Sequence, residues 1–311
     1  MGRYVFGIDV GGTTVKCGLF DVEGNVLDKW EIITRKEEGG KYILPDVAAS
    51  VLAKMEDRSI NKEDVEGIGV GVPGPVNEEG QVPVAVNIGW GFMDVVKELE
   101  GLTGLKVKAG NDANVAALGE MWRGAASGCK NVVLATLGTG VGGGIIIGGK
   151  VIAGAHGAGG EIGHIHVEDA EEDVCNCGNR GCLEQMASAT GIVKLANRLL
   201  AESDEPSVLR AQEISAKSVF DAVKAGDSLA QKVAEKFGEY LGKAFAAIAC
   251  VVDPEVFVIG GGVSKAGPVL LEYIRRYYEP FTFSACRKAE FVLARLGNDA
   301  GIYGAARMVL E

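Results

Sequence analysis

Residues 3–33 alternate short apolar runs with tight turns: YVFGIDV and VKCGLFDV are separated by GGTT, and DVEGN turns the chain again before VLDKWEII. Runs of seven or eight residues rich in β-branched and aromatic side chains, bounded by Gly, Asp and Asn, read as strand, turn, strand, turn, strand. Residues 131–155 return to that plan with NVVLATL, GTG, VGGGIII, GGK and VIAGA. The two stretches share architecture rather than residue identity, so an internal duplication is expected.

Each meander is followed by helical and further strand patterns. YILPDVAASVLAKME is helical, VEGIGVGVPGPV is a buried strand running into a loop, and FMDVVKELEGL, LKVKAG and Ala113 to about Arg123 read as helix, strand and helix. In the second half Leu229, Val233, Phe237, Leu241 and Phe245 recur at helical spacing, and PEVFVIGGGVS is a strand ending in glycines. A strand near FVLARLG and a helix from about Ala300 close the chain. The expectation is an α/β protein of two halves around a cleft, with the switch between them near residues 112–130.

The net charge of −11 argues against general nucleic-acid or anionic-membrane binding, either of which needs a basic surface. Residues 132–149 are uncharged and long enough to span a bilayer, yet seven glycines make a poor helix there. Two β-branched runs joined by a glycine turn is the better reading. The opening MGRYVFGIDV lacks the charged start and long apolar core of a secretion signal. A cytoplasmic protein with reduced thiols is therefore expected.

Glycine accounts for 46 of 311 residues, about twice the usual share of about 7%, and clusters where apolar runs end. In GIDVGGTTVK, Asp9 precedes Gly11, Gly12, Thr13, Thr14 and Lys16. Open backbone N–H groups there suit phosphate oxygens, and a carboxylate suits a hydrated Mg²⁺; a plain hairpin turn is the alternative. LGTGVGGG places Gly138, Thr139 and Gly140 at the equivalent turn of the second meander, so two such loops could grip one polyphosphate. In VFVIGGGVS, Gly260, Gly261 and Gly262 leave backbone on which a flat ring could pack, or serve only close strand–helix packing. In AGNDANVAALGE, Asp112 stands between strand and helix, where helix capping is the first expectation and a base fixed at a domain junction the second.

CNCGNRGCLE gathers Cys175, Cys177 and Cys182 downstream of GEIGHIHV. Three thiolates and one imidazole form a closed tetrahedral zinc site of the structural kind; a disulfide is the alternative, although C-x-C leaves little room for a relaxed bridge. His164 and His166 compete for the fourth place, and His156 is further away. Cys17, Cys129, Cys250 and Cys286 are scattered and expected in the core.

DVGGTTVK, GVPGPV, NDANVAALGE, LGTGVGGG, GEIGH, CNCGNRGCLE and IGGGVS, in this order and over the whole length, resemble the ROK family of sugar kinases and repressors, most of all its bacterial glucokinases. The resemblance implies two duplicated actin-like ATPase (ribonuclease H-like) domains: a small one over 1–115, joined by a C-terminal helix at about 299–311, and a large one over 116–298 with the zinc site. It implies ATP-dependent phosphorylation of glucose at the 6-hydroxyl with Asp112 as general base. Asn111, Glu161, His164 and Glu184 would hold the sugar hydroxyls, with Gly74 nearby. The turns at Gly11–Thr14 and Gly138–Gly140 would cradle phosphates and Gly260–Gly262 would lie against adenosine. Zinc would take His164, Cys175, Cys177 and Cys182, although the acidic loop VEDAEEDV is one residue longer than the family pattern and leaves His166 a competitor by count. A homodimer or tetramer is implied as well.

Within the family, a kinase for N-acetylmannosamine, N-acetylglucosamine or fructose is the nearest rival. Sugar-sensing repressors carry a helix-turn-helix domain before the first phosphate loop, whereas here Asp9 is reached after eight residues, so a kinase is expected over a repressor or a non-catalytic sugar-binding regulator.

Overall fold

A computed structural model describes residues 3–311. The first meander is present as β1 (Tyr4–Val10), β2 (Thr14–Asp21) and β3 (Val26–Ile33). Exposed residues alternate with half-buried ones along β3, as on an edge strand with one solvated face. A short turn α1 (Glu37–Gly40) leads to α2 (Ile43–Asp57) and the buried strand β4 (Val65–Val72). β5 (Gln81–Val82) and β6 (Met93–Asp94) pair in a small ribbon before α3 (Val95–Thr103), β7 (Val107–Asn111) and α4 (Asp112–Arg123). The sheet order is β3-β2-β1-β4-β7, with β1 antiparallel to β2 and parallel to β4, and β4 parallel to β7.

The second meander is β8 (Val132–Leu137), β9 (Val141–Ile147) and β10 (Lys150–Val151). It is followed by α5 (Leu183–Ala187), α6 (Ala189–Glu202), α7 (Ala216–Lys224), α8 (Ser228–Val252), β11 (Val256–Gly260), α9 (Val269–Tyr278), β12 (Glu290–Leu293) and α10 (Ala300–Val309). Its sheet runs β10-β9-β8-β11-β12, strand for strand the order of the first. The duplication suggested by the two meanders is thus present in topology. The copy is abbreviated at its edge: the strand expected over VIAGA stops at Val151, because left-handed glycines follow at Gly154, Gly157 and Gly160. The uncharged stretch 132–149 is strand, turn and strand, and no helix among the described residues is long and apolar enough to cross a membrane.

By internal contacts the chain forms two compact units. One runs up to Gly128 and takes in Gly144–Gly160 and Arg295–Glu311; the other comprises Cys129–Gly143 and Glu161–Ala294. The boundary expected at 115 falls within α4, and contacts keep the whole helix with the first unit. Its partner there is α10, which also lies on β1 and β4. This approach needs bare backbone: a Cβ at Gly7 would stand 2.0 Å from the Ile302 carbonyl oxygen, and one at Gly69 only 1.8 Å from that of Ala305. At the far end of α4 the fully buried Glu120 accepts backbone N–H groups of Ala125 at 2.7 Å, Leu296 at 2.8 Å and Arg295 at 3.1 Å.

The second unit is built around α8, whose Phe237, Leu241 and Phe245 are buried as their helical spacing predicts. Phe245 stacks on Phe257, and Phe257 on Phe291, at centroid separations of 4.8 and 4.9 Å. Cys17 and Cys286 are buried as expected and Cys129 partly so. Cys250 is exposed instead, because Ile248 and Ala249 take the inward phase of α8 and turn it out.

Candidate active site

In the first unit the turn Gly11–Thr14 closes β1 onto β2, with the Gly11 N–H bonded to the Thr14 carbonyl at 3.0 Å. The Thr34 hydroxyl donates to the Gly11 carbonyl at 2.7 Å and fixes the loop from outside. Asp9, next to last in β1, lies against Gly301 of α10. Burial, then the charge of Asp112, pushes the Asp9 carboxyl up to about 6, against a smaller opposing pull from Lys16. Lys16 itself reaches away to the Asn298 carbonyl at 2.9 Å. Two acids sharing one electrostatic neighbourhood, with the nearby amine engaged elsewhere, fit a divalent cation.

The cap of α4 corrects the first expectation for Asp112. Asn111 is the capping residue, its Oδ1 accepting the N–H groups of Ala113 and Asn114 at 3.0 and 3.1 Å. Asp112 is the first helical residue, exposed, with Oδ1 taking the Ala113 N–H at 2.8 Å. The neighbouring Asn thus does the structural work, and the carboxylate is left on the surface beside Asp9. The other end of the Asn111 amide donates to the Gly74 carbonyl at 3.0 Å, which brings together two residues expected to face a sugar.

In the second unit the turn Gly138–Gly140 is closed by its own N–H to carbonyl bond of 3.0 Å. The N-terminus of α6 is tied to it: the Ala189 N–H donates to the Gly138 carbonyl at 2.8 Å, and the Thr190 hydroxyl to that of Thr139 at 2.7 Å. Gly261, at φ +80°, presses on β8 so closely that a Cβ would meet the Leu137 oxygen at 2.5 Å. Thus the ends of β8 and β11, and with them two of the three glycine stretches, come together. Gly138 and Gly262 face open space.

A cavity of about 600 Å³ opens beside Thr139, walled by Val193, Lys194, Asn197 and Arg198 of α6 and by Ile214 to Ala216. A smaller one of about 170 Å³ shares Ala216 and reaches Gly262 and Lys265. One thus lies beside a phosphate-type turn and the other beside the glycines expected against adenosine, with Ala216 in the wall of both. None of these α6 residues belongs to a motif that stands out in the sequence.

The thiols converge. Donor atoms of His164, Cys175, Cys177 and Cys182 all lie within 4.8 Å of one another. Cys175 Sγ is 3.7 Å from His164 Nδ1 and Cys177 Sγ 3.6 Å from Cys182 Sγ. A tetrahedral zinc with ordinary bond lengths sets its donors about 3.5–3.8 Å apart, so the set fits the ion. All seven cysteines are free. His166 is engaged elsewhere, Nδ1 on the Arg180 carbonyl at 2.9 Å and Nε2 on Asp169 at 2.8 Å. His164 turns Nε2 toward Glu161 at 3.9 Å. Glu184 takes the Cys175 thiol on Oε1 at 3.0 Å, while its Oε2 lies 3.4 Å from the Val141 N–H, beside Gly140. Glu161, His164 and Glu184 therefore form one polar group against the cluster.

The ROK family matches residues 5–311. This chain belongs to the ROK family. A relative named glucokinase from Halalkalibacterium halodurans is 44% identical, over 99% of this chain and 96% of its own. The solved ROK glucokinase of Streptomyces griseus, in complex with glucose and AMPPNP, is 34% identical with a TM-score of 0.74, each chain covered to 98%. A ROK family transcriptional regulator is also similar, 29% identical with a TM-score of 0.86 over all of this chain and 79% of the regulator.

Proposed function

We propose that this ROK chain is an ATP-dependent glucokinase, transferring the terminal phosphoryl group of ATP to the 6-hydroxyl of glucose to give glucose 6-phosphate and ADP. The observation that carries the reading is the full-length likeness to a glucokinase at 44% identity. It is supported by the exposed carboxylate of Asp112 beside Asp9 and by the neighbouring cavities at Thr139 and at Gly262.

In this reading Asp112 accepts the proton of the sugar hydroxyl. Phosphoryl transfer has a loose transition state and asks mainly for positioning and charge neutralisation, so a well-placed carboxylate suffices as a late proton acceptor. Asn111, Glu161, His164 and Glu184 hold the sugar, with the Gly74 loop braced by Asn111. Gly11–Thr14 and Gly138–Gly140 present backbone N–H groups to the phosphates, and Gly260–Gly262 with the wall of α6 receive adenosine. Asp9 would hold magnesium, which when bound offsets phosphate charge. Zinc on His164, Cys175, Cys177 and Cys182 would be structural, orienting His164 and the backbone that carries Glu184. A cytoplasmic setting suits the free thiols, and a homodimer or tetramer follows the family habit; neither nucleic acid nor membrane is a partner in this proposal.

The deciding experiment offers ATP and Mg²⁺ with a panel of hexoses and follows ADP release. Glucose should lead. Preferred turnover of N-acetylmannosamine, N-acetylglucosamine or fructose would select the rival kinases, and sugar binding with no turnover would select a regulator. Replacing ATP with polyphosphate in the same assay tests the donor.

A further inference from the structure

The loop VEDAEEDV carries five acids, and one of them is out of place for a solvated loop. The side chain of Glu171 is wholly buried. Both its oxygens are occupied: Oε1 by Lys194 Nζ at 2.7 Å and the Asp173 N–H at 2.9 Å, Oε2 by the Arg198 guanidinium at 3.0 Å. Lys194 and Arg198 are four apart on α6 and both line the cavity beside Thr139. The same helix begins on the Gly138–Thr139 turn through Ala189 and Thr190. One rigid element therefore joins the phosphate-type turn at its start to a buried acid of the cysteine-bearing loop two turns further on.

A buried carboxylate between two cations is a costly way to fill a core, because apolar side chains of like volume commonly do as well or better for stability. What it supplies is orientation. With the acid in place, the two long cationic chains are held against the wall; without it Arg198 loses its ion pair to Glu171 and Lys194 keeps only that to the exposed Asp173 at 2.5 Å, so both are freer to spread into the cavity they line.

We propose that Glu171 is a positioning residue for the nucleotide, holding Lys194 and Arg198 in the wall of the cavity beside Thr139 and tying the cysteine-bearing loop to the phosphate turn through α6. The inference rests on the reading of that cavity as the adenosine site. Glu171→Gln should raise KM for ATP about tenfold, leave KM for glucose within about twofold, and keep the wild-type metal content. Glu171→Asp, which retains the charge on a shorter stem, should recover part of the loss, and it carries the same comparison if the Gln variant does not fold. Direct titration with AMPPNP separates the failures, with a thiol label at Ala216→Cys, resolved by peptide mapping from the exposed Cys177 and Cys250, reporting on the cavity. If the enzyme phosphorylates glucose but AMPPNP does not protect that thiol, the adenosine reading falls and this inference with it. If AMPPNP protects it, yet Glu171→Gln shows an unchanged KM for ATP, this inference alone falls. Equal losses for ATP and glucose, or loss of metal, would reduce Glu171 to a purely structural role and overturn the proposal.

Discussion

Asn111 donates its side-chain N–H to the carbonyl oxygen of Gly74 at 3.0 Å while its own oxygen caps α4. One amide thus holds a loop and a helix start in register, and the two functions can be separated chemically. Asn111→Asp keeps the cap and loses the donor, so KM for glucose should rise about tenfold or more with little change in Tm. Asn111→Ala loses both and should additionally destabilise by about 1 kcal/mol. Steady-state kinetics with thermal melts distinguish them; equal Tm losses in both variants would show that the cap is not the structural half.

Asp112 heads the same helix but does not cap it. Asp112→Asn should therefore fold normally and still bind glucose, while kcat falls by about 10²–10⁴. Near-normal turnover would remove Asp112 from the proton transfer.

Two glycines, Gly69 within β4 and Gly138 in the turn after β8, should respond in opposite ways. Gly69→Ala places a Cβ 1.8 Å from the Ala305 oxygen, an overpacking expected to cost about 3 kcal/mol or more. Gly138→Ala meets nothing within 4 Å and should change stability by no more than about 0.5 kcal/mol. Its added methyl would nevertheless stand where phosphates are proposed to lie, so KM for ATP should rise. A Gly138→Ala enzyme with unaltered nucleotide kinetics would move the phosphates elsewhere.

The thiol cluster should carry about one zinc per chain in elemental analysis, and Cys182→Ser should lose it. Because His164 and Glu184 lie against the cluster, the metal-free variant should lose glucose affinity. Fully active, metal-free wild type would rule the zinc role out.

Acid should expose the ion pairs of Glu171. Burial alone would raise its carboxyl, but Lys194, the Asp173 N–H and Arg198 together bring it below the ordinary value. A depressed folded value means stability that is fully present above the unfolded value of about 4.3 and lost as pH falls through it toward the folded one. The Tm gap between wild type and Glu171→Gln should be widest near neutrality and narrow as pH drops from about 5 to 3. A gap that stays constant would mean that the carboxyl has no folded-state preference for its charge.

The meanders and glycine turns are legible in the sequence because glycine directly after an apolar run marks a place where backbone turns or is closely approached. The thiol cluster is legible because three cysteines within eight residues, with a histidine shortly upstream, are ligand types at short spacing. The cap lies one position earlier than expected: Asn111 and Asp112 are equally good capping types, and only the backbone shows which one precedes the first helical turn. The strand over VIAGA is cut short because glycines downstream outweigh its β-branched residues. The α6 wall and Glu171 stay hidden in the sequence for a different reason. A buried acid in an acidic loop has the same letters as its solvated neighbours, and its cations sit on a helix whose polar face reads as solvent-facing until the cavity is seen.

About 290 residues of chain lie between the end of β1 at Val10 and the start of α10 at Ala300, yet α10 rests on β1 and β4 with no Cβ intervening at Gly7 or Gly69. During synthesis, which proceeds from the N-terminus, β1 and β4 are made well before the helix that covers them. The glycine-lined face of that sheet is thus a surface that the nascent chain must keep from other strands, and its closure is a late, long-range event. A stop codon just before Ala300 would spare every residue proposed to touch sugar, nucleotide or metal, and would still uncover the face of β1 and β4 on which α10 rests.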